Sequence, residues 1–406
     1  MPRKTHLSAI CAIIIALAPS TSFAQDTTLD VPALEQRASD GAVSAMMKLA
    51  RAYSAGDGVE QNSSKATSYF EQAAKSGNAG AMMMAGLAYH NGDGVAQNSV
   101  VAADYFQKAA EAGNAGGMVM LGLAYSEGNG VLQDDAKAID YFQKAADAGN
   151  AGALVALGRA YQSGAGVPKD EAKAVDYFQQ AADKGNAGAW VALGRAYQSG
   201  TGVAQNDAKA IEYFQKAAKS DNVGAMVALG RAYAEGQGAP QDSAKAVEYF
   251  EQAAEKNNIG ALIALGQAYL TGTGVKQDGD KAVAYFTQAA DLGNVGGMAA
   301  LAKAYSDGNG VRKNMPKAYE WAAKAGATLS TGGLITQRLI DPNGFVETVQ
   351  GQLIEKTYYD GRANGRLTQS TIMAINKLCR DNDIAQQCAT GPLSPTSIRA
   401  YAPFLK

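Results

Sequence analysis

Between residues 153 and 162 the large apolar side chains Leu154, Leu157 and Tyr161 stand three and four positions apart. That spacing lays one apolar stripe along a helix. The run Gly164-Ala165-Gly166-Val167 interrupts it. A second, alanine-rich stripe follows from Ala172 to Lys184, and Gly185-Asn186 reads as its left-handed cap. Then the text resumes 36 residues on: Gly202 answers Gly166 and Tyr213 answers Tyr177. The period holds through Gly58, Gly94, Gly130, Gly166, Gly202, Gly238, Gly274 and Gly310, and a tyrosine precedes each by five residues, from Tyr53 to Tyr305. An aromatic pair recurs from Tyr69-Phe70 to Tyr285-Phe286, and Trp321-Ala322 takes its place in the last copy. The pattern predicts eight helix–turn–helix units over residues 45–326.

Each unit carries its own local signals. Four residues after the second turn glycine comes an Asn or Asp, from Asn62 to Asn314, whose side chain can accept backbone N–H groups at a helix start. The turn follows a helix and lacks the lysine of a phosphate loop, so it reads as a chain reversal. Gly158, Gly194 and Gly230 fall mid-helix, where glycine costs about 1 kcal/mol relative to alanine. Close approach of a neighbouring helix is the simplest offset. The pairs Asp104–Lys108, Asp140–Lys144 and Glu212–Lys216 read as a solvated face. One helix pair cannot bury its apolar face alone, whereas stacked copies can.

This pattern, A-xx-LG-xx-Y-xx-GxGV followed by D/N-xx-KA-xx-YF-x-KAA-xx-GN, resembles the Sel1-like repeat family. Val101 in place of the usual lysine and Ala239 in place of the valine are its departures. The resemblance implies an all-α fold, a right-handed α/α superhelical solenoid of eight 36-residue repeats, with a small C-terminal helical domain appended here. It also implies a scaffold or adaptor that binds a protein partner, in bacteria often exported and tied to envelope assembly, polysaccharide export or signalling. Val31–Ser39 resembles a second helix without its first, with Leu34 in the slot of Phe70, so residues 25–44 are expected to form an N-terminal capping helix.

Partner contacts are expected where repeats differ. Two residues before each first-helix tyrosine the chain reads Arg51, Leu87, Leu123, Arg159, Arg195, Arg231, Gln267 and Lys303. Four residues before these positions it carries Met83, Val155, Val191 and Val227 among others, and His90 follows Tyr89. Such spacings share a helical stripe. Stacking would turn it into rows: Val155, Val191 and Val227 beside Arg159, Arg195 and Arg231, with Met83, Leu87 and His90 forming an apolar stretch nearer the N-terminus. Guanidinium groups at regular intervals suit carboxylates of an acidic peptide or a uronic-type sugar. They could instead lie over neighbouring helices or solubilise the surface. His90 reads first as a polar surface residue.

Arg3 and Lys4, the apolar run Ala9–Ala18 and the small-x-small triplet Ser22-Phe23-Ala24 read as a signal peptide over residues 1–24, so a periplasmic or secreted protein is expected. No other stretch is long and apolar enough to span a membrane. Export makes a disulfide between Cys379 and Cys388 the first reading, with two buried thiols as the alternative. A formal charge of −2 gives no bulk argument for nucleic acid.

"TLSTGG", Thr328–Gly333, has loop chemistry, and residues 327–344 are expected as a linker. Residues 345–406 then read as helix, turn, helix. Val349, Gln350, Leu353, Tyr358, Tyr359, Asp360, Gly361, Gly365, Leu367, Thr371, Ala374 and Ile375 resemble the small helical peptidoglycan-binding domain family, with Arg366-Leu367-Thr368 departing from its pattern. The resemblance implies peptidoglycan or anionic polysaccharide as an alternative partner, with Tyr359, Asp360, Asn364 and Arg366 as glycan-binding candidates. A structural cap on the solenoid is the competing reading. Catalysis is not expected: the two histidines, His6 and His90, form no triad with Ser or Cys, and no metal set or cofactor motif is present. Members of the repeat family linked to β-lactam hydrolysis carry a cysteine pair in each repeat, which this chain lacks.

Overall fold

The computed structural model describes residues 29–405. The expected signal peptide lies outside them. The described residues form helices and no strands, in two compact units that meet at Ser220 and Asp221.

The first unit opens with the helix Val31–Ser39, capped by Asp30, which packs on the first repeat through Leu34. Five helix pairs follow: Val43–Ala55 with Ser63–Lys75, Ala79–Asn91 with Ser99–Glu111, Ala115–Glu127 with Asp135–Asp147, Ala151–Ser163 with Glu171–Asp183, and Ala187–Ser199 with Asp207–Ala218. The second unit holds three more: Val223–Glu235 with Ser243–Glu255, Ile259–Thr271 with Gly279–Asp291, and Val295–Asp307 with Met315–Ala327.

The mid-helix glycines have the role their cost implied. A Cβ at Gly158 would stand 2.5 Å from Cε1 of Phe178, and one at Gly194 would stand 2.5 Å from Cε1 of Phe214. The missing methyl lets the phenyl ring of the second helix lie on the backbone of the first, and both rings are fully buried. The turn glycines act differently. Gly202 has φ +73° and presses on the backbone of Glu171 in the preceding repeat, so its position demands both a left-handed conformation and no side chain.

Each second helix starts at its expected cap. Asp170 Oδ1 accepts the N–H of Lys173 at 2.9 Å, and Asn62 does the same for Lys65. Asn186 departs from its expected place. Gly185 alone takes the left-handed turn, at φ +79°, and Asn186 caps the next helix by accepting the N–H of Ala189. Both dipeptide residues are capping residues, but for opposite helix ends.

The tyrosines form a ladder. In seven repeats the first-helix and second-helix tyrosines stack, with ring centroids 5.5 Å apart for Tyr161–Tyr177 and 6.1 Å for Tyr53–Tyr69. A second-helix lysine covers the first ring, as Lys173 Nζ does 4.3 Å from the Tyr161 centroid. Val101 occupies that slot in the second repeat, and there the Tyr89 hydroxyl donates to Glu71 at 2.7 Å, which pushes its pKa up to about 12.

The second unit corrects the expected linker. Residues Thr331–Ile340 form a helix capped by Ser330, and Leu334 is fully buried in the C-terminal core with Phe345, Val349, Ile375 and Tyr401. Its glycines are there for close approach: a Cβ at Gly333 would collide with the carbonyl of Ala325, and one at Gly326 with the Gln337 carboxamide. The helices Pro342–Glu355, Gln369–Asp381, Ala385–Cys388 and Pro395–Leu405 complete this core, and a disulfide joins Cys379 to Cys388. The C-terminal helices therefore continue directly from the last repeat.

Candidate functional site

The stripe on the first helices is set by what the other faces already do. One face packs Leu157 and Ala153 into the core, and Gly158 receives Phe178. Arg159, one residue on, points away from both and is exposed, as are Arg195 and Arg231 on their own helices. In the first unit Arg159 lies close enough to Arg195 to feel its charge. Surrounding protein atoms first, and that charge second, hold its pKa below the ordinary guanidinium value. Among the described residues no carboxylate pairs with either guanidinium.

The neighbouring valines divide. Val191 and Val227 are half-buried, but Val155 is only 5% exposed and belongs to the core with Leu154, Phe178 and Leu193. Val155 therefore stabilises the repeat and is not available as a contact. In the second repeat Met83 and Leu87 are half-buried. The Met83 sulfur fills the space over Gly116 of the next repeat, and Leu87 packs on the core around Phe106 and Met120. His90 is half-buried too, and burial lowers its pKa, which favours the neutral ring.

At the C-terminal end the four glycan candidates separate. Tyr359 and Asp360 line an open groove of about 370 Å³ together with Tyr358, Met373, Lys377 and Arg380. Asn364 and Arg366 are not part of it. The Asn364 side-chain Oδ1 accepts the Arg366 N–H at 3.0 Å, which fixes the turn. Behind that turn sits Gln350, fully buried, whose oxygen accepts the N–H groups of Asn364 and Gly365 and whose amide donates to the Arg366 carbonyl and the Thr371 hydroxyl. Met373 is 62% exposed, and Lys377 stands over the Tyr358 ring. Sequence reasoning missed Met373, Lys377 and Arg380. Their spacing at four and three along a helix capped by Thr368 was the available signal.

Among the described residues no group of three His, Cys, Asp or Glu could hold a metal ion, and no helix is long and apolar enough to cross a membrane.

A family model described as the Sel1 repeat matches eight times, over residues 43–78, 79–114, 115–150, 151–186, 191–222, 223–258, 259–294 and 296–327. The chain belongs to the Sel1 repeat family. The matched segments coincide with the eight helix pairs, so the fold is an all-α solenoid of eight Sel1 repeats. A Sel1 repeat protein from Oxalobacter formigenes superposes with a TM-score of 0.55 at 31% identity, covering 61% of this chain and 99% of that one. A protective antigen present in uropathogenic Escherichia coli strains, displaying an SLR fold, superposes with a TM-score of 0.52 at 24% identity over 94% of this chain and 90% of that one, a likeness of fold alone. No curated protein sequence matches the chain. Sel1 repeat proteins are in general non-catalytic scaffolds for protein interaction.

Proposed function

We propose that this Sel1 repeat protein is an exported, non-catalytic scaffold of the cell envelope that binds a protein partner through the first-helix stripe on the inner surface of the solenoid. One contrast carries the reading. The residues that hold repeats together recur: Gly158 under Phe178, Tyr161 on Tyr177, Asp170 at the cap. The first-helix positions two before the tyrosine vary instead, reading Arg51, Leu87, Leu123, Arg159 and Arg195 in the first unit and Arg231, Gln267 and Lys303 in the second, and most of them meet solvent. Packing requires sameness, whereas recognition of one partner by many repeats requires difference.

Photo-crosslinkers at the exposed positions Gln162 and Gln267, in the native envelope, test this. Cross-links to a protein from these positions, and not from Lys108 or Lys144 on the second helices, are the expected result. Cross-links from Lys108 and Lys144 alone would move the interface to the other face and end this reading.

The groove supports a second reading, peptidoglycan binding at the C-terminal end, because an exposed methionine, an aromatic ring and two cations converge there. Deleting the segment is a poor test, since Leu334 shares its core. Sedimentation with sacculi of the Asp360→Ala, Arg380→Ala double variant is cleaner. A loss of on the order of tenfold in bound fraction is expected on removing two polar contacts. Unchanged sedimentation would take the groove out of the account.

A further inference from the structure

Many lysines of this protein are engaged where they stand, on second helices and, as Lys303 with Asp307, on a first helix. Lys108 and Lys144 pair with Asp104 and Asp140 at 2.6 and 2.7 Å, and Lys173 and Lys209 lie over the rings of Tyr161 and Tyr197. The ion pairs and cation–ring contacts seen among the described residues are made by lysines. Arg159 and Arg195 are different. They take equivalent positions on consecutive first helices of the first unit, both are exposed, and among the described residues neither makes an ion pair.

Two unpaired guanidinium groups presented on successive first helices of a rigid scaffold offer complementary charge to an anionic segment. Guanidinium is the cation suited to that task. Its planar fork grips a carboxylate through two parallel N–H donors. The surroundings add selectivity. Val191 is half-buried one helical turn before Arg195, and the second repeat carries half-buried Met83, Leu87 and His90 at the corresponding first-helix positions.

We infer that the exposed Arg159 and Arg195 are a docking site for an acidic segment of the partner protein, with one carboxylate on each guanidinium group. This rests on the scaffold reading above and names the chemistry of its partner. The segment carries at least two Asp or Glu side chains, one for each arginine. Apolar residues precede or follow them and reach the Met83–Leu87 end.

A fluorescein-labelled octaglutamate peptide is the probe, titrated with the full chain and read by fluorescence anisotropy. Saturable binding is expected at low ionic strength, weakening at a few hundred millimolar salt as exposed charges are screened. Arg159→Gln with Arg195→Gln should lower affinity on the order of tenfold or more, since both charged donor forks are lost without opening the core. Lys108→Gln with Lys144→Gln, which removes the same charge from the second helices, should leave it within about twofold. Equal losses in both double variants would show a bulk charge effect and overturn the inference, as would the absence of octaglutamate binding. Tighter binding of heparin than of octaglutamate through the same two arginines would overturn it in favour of a polysaccharide ligand. Cross-links from Gln162 that persist undiminished in the Arg159→Gln, Arg195→Gln variant would also overturn it, while leaving the scaffold reading intact.

Discussion

Replacing Phe178 with alanine should destabilise the fourth repeat by about 3–5 kcal/mol, the usual cost of emptying a buried phenylalanine site. The ring is only 2% exposed and lies on the bare backbone of Gly158. Hydrogen exchange in helices Ala151–Ser163 and Glu171–Asp183 should accelerate by roughly two to three decades. Local exchange is the right readout, because a solenoid unfolds by repeats and a single global midpoint would average them.

The partner substitution makes the prediction sharper. Gly158→Ala puts a methyl 2.5 Å from the ring, an overpacking that costs about 1–3 kcal/mol, against about 1 kcal/mol regained in helix propensity. Alone it should be neutral to mildly destabilising. The first repeat shows that the contact can adjust: Ala50 stands in the glycine slot beneath Phe70, and both are buried. In the Phe178→Ala background the clash is gone, so Gly158→Ala should change sign and stabilise by about 1 kcal/mol or more. The eighth repeat is the natural version, with Ala302 and Ala322 both fully buried where repeats two to seven pair glycine with phenylalanine. A double variant less stable than Phe178→Ala alone would mean that glycine is needed there for some reason other than the ring.

That glycine was legible before any coordinates, and the reason is repetition. A helix-breaking residue that recurs every 36 positions must be offset by something that also recurs, and the phenylalanine does. The period, the caps at Asn62 and Asp170 and the recurrence of the tyrosines were readable on the same ground. Single-copy features were not. Thr328–Gly333 has loop chemistry, yet the helix Thr331–Ile340 starts within it, capped by Ser330, because Leu334 and Gly333 find a surface on the last repeat and the C-terminal core, a tertiary effect. Val155 was placed on the contact stripe by spacing alone, yet the width of the buried arc takes it into the core. Asn364 and Arg366 resembled ligand contacts because turns and sites favour the same polar residues. Only the hydrogen bonds reveal that Asn364 shapes the chain and leaves the groove to Lys377 and Arg380.

The residue on which that turn depends is Gln350, and Gln350→Ala should cost about 2–4 kcal/mol. Its carboxamide sits at zero exposure and meets four partners at 2.9–3.1 Å: two N–H groups, one carbonyl and one hydroxyl. Truncation leaves these groups without it, and each buried polar group left unpaired costs about 1–3 kcal/mol. Asn364 and Arg366 are exposed, so part of the loss is recovered by water, which sets the total below a simple sum. Gln350→Glu separates hydrogen bonding from shape. The carboxylate still accepts from Asn364 and Gly365 but cannot donate to the Arg366 carbonyl, and its charge is buried. Burial raises the pKa of such a group above its unfolded value, so the unfolded chain loses the proton first as pH rises. The penalty is therefore present at neutral pH and shrinks as pH falls through the raised value toward the ordinary glutamate pKa of about 4. Thermal melts should show Gln350→Ala low at every pH, and Gln350→Glu low at pH 7 but recovering toward the native protein in acid. The Cys379–Cys388 bond persists in both variants, so the helices of this core remain tethered and the loss falls on the turn and the groove beside it. A Glu variant whose deficit stayed constant with pH would show that the carboxamide site admits water, and the buried network would then lose its claim to hold the turn.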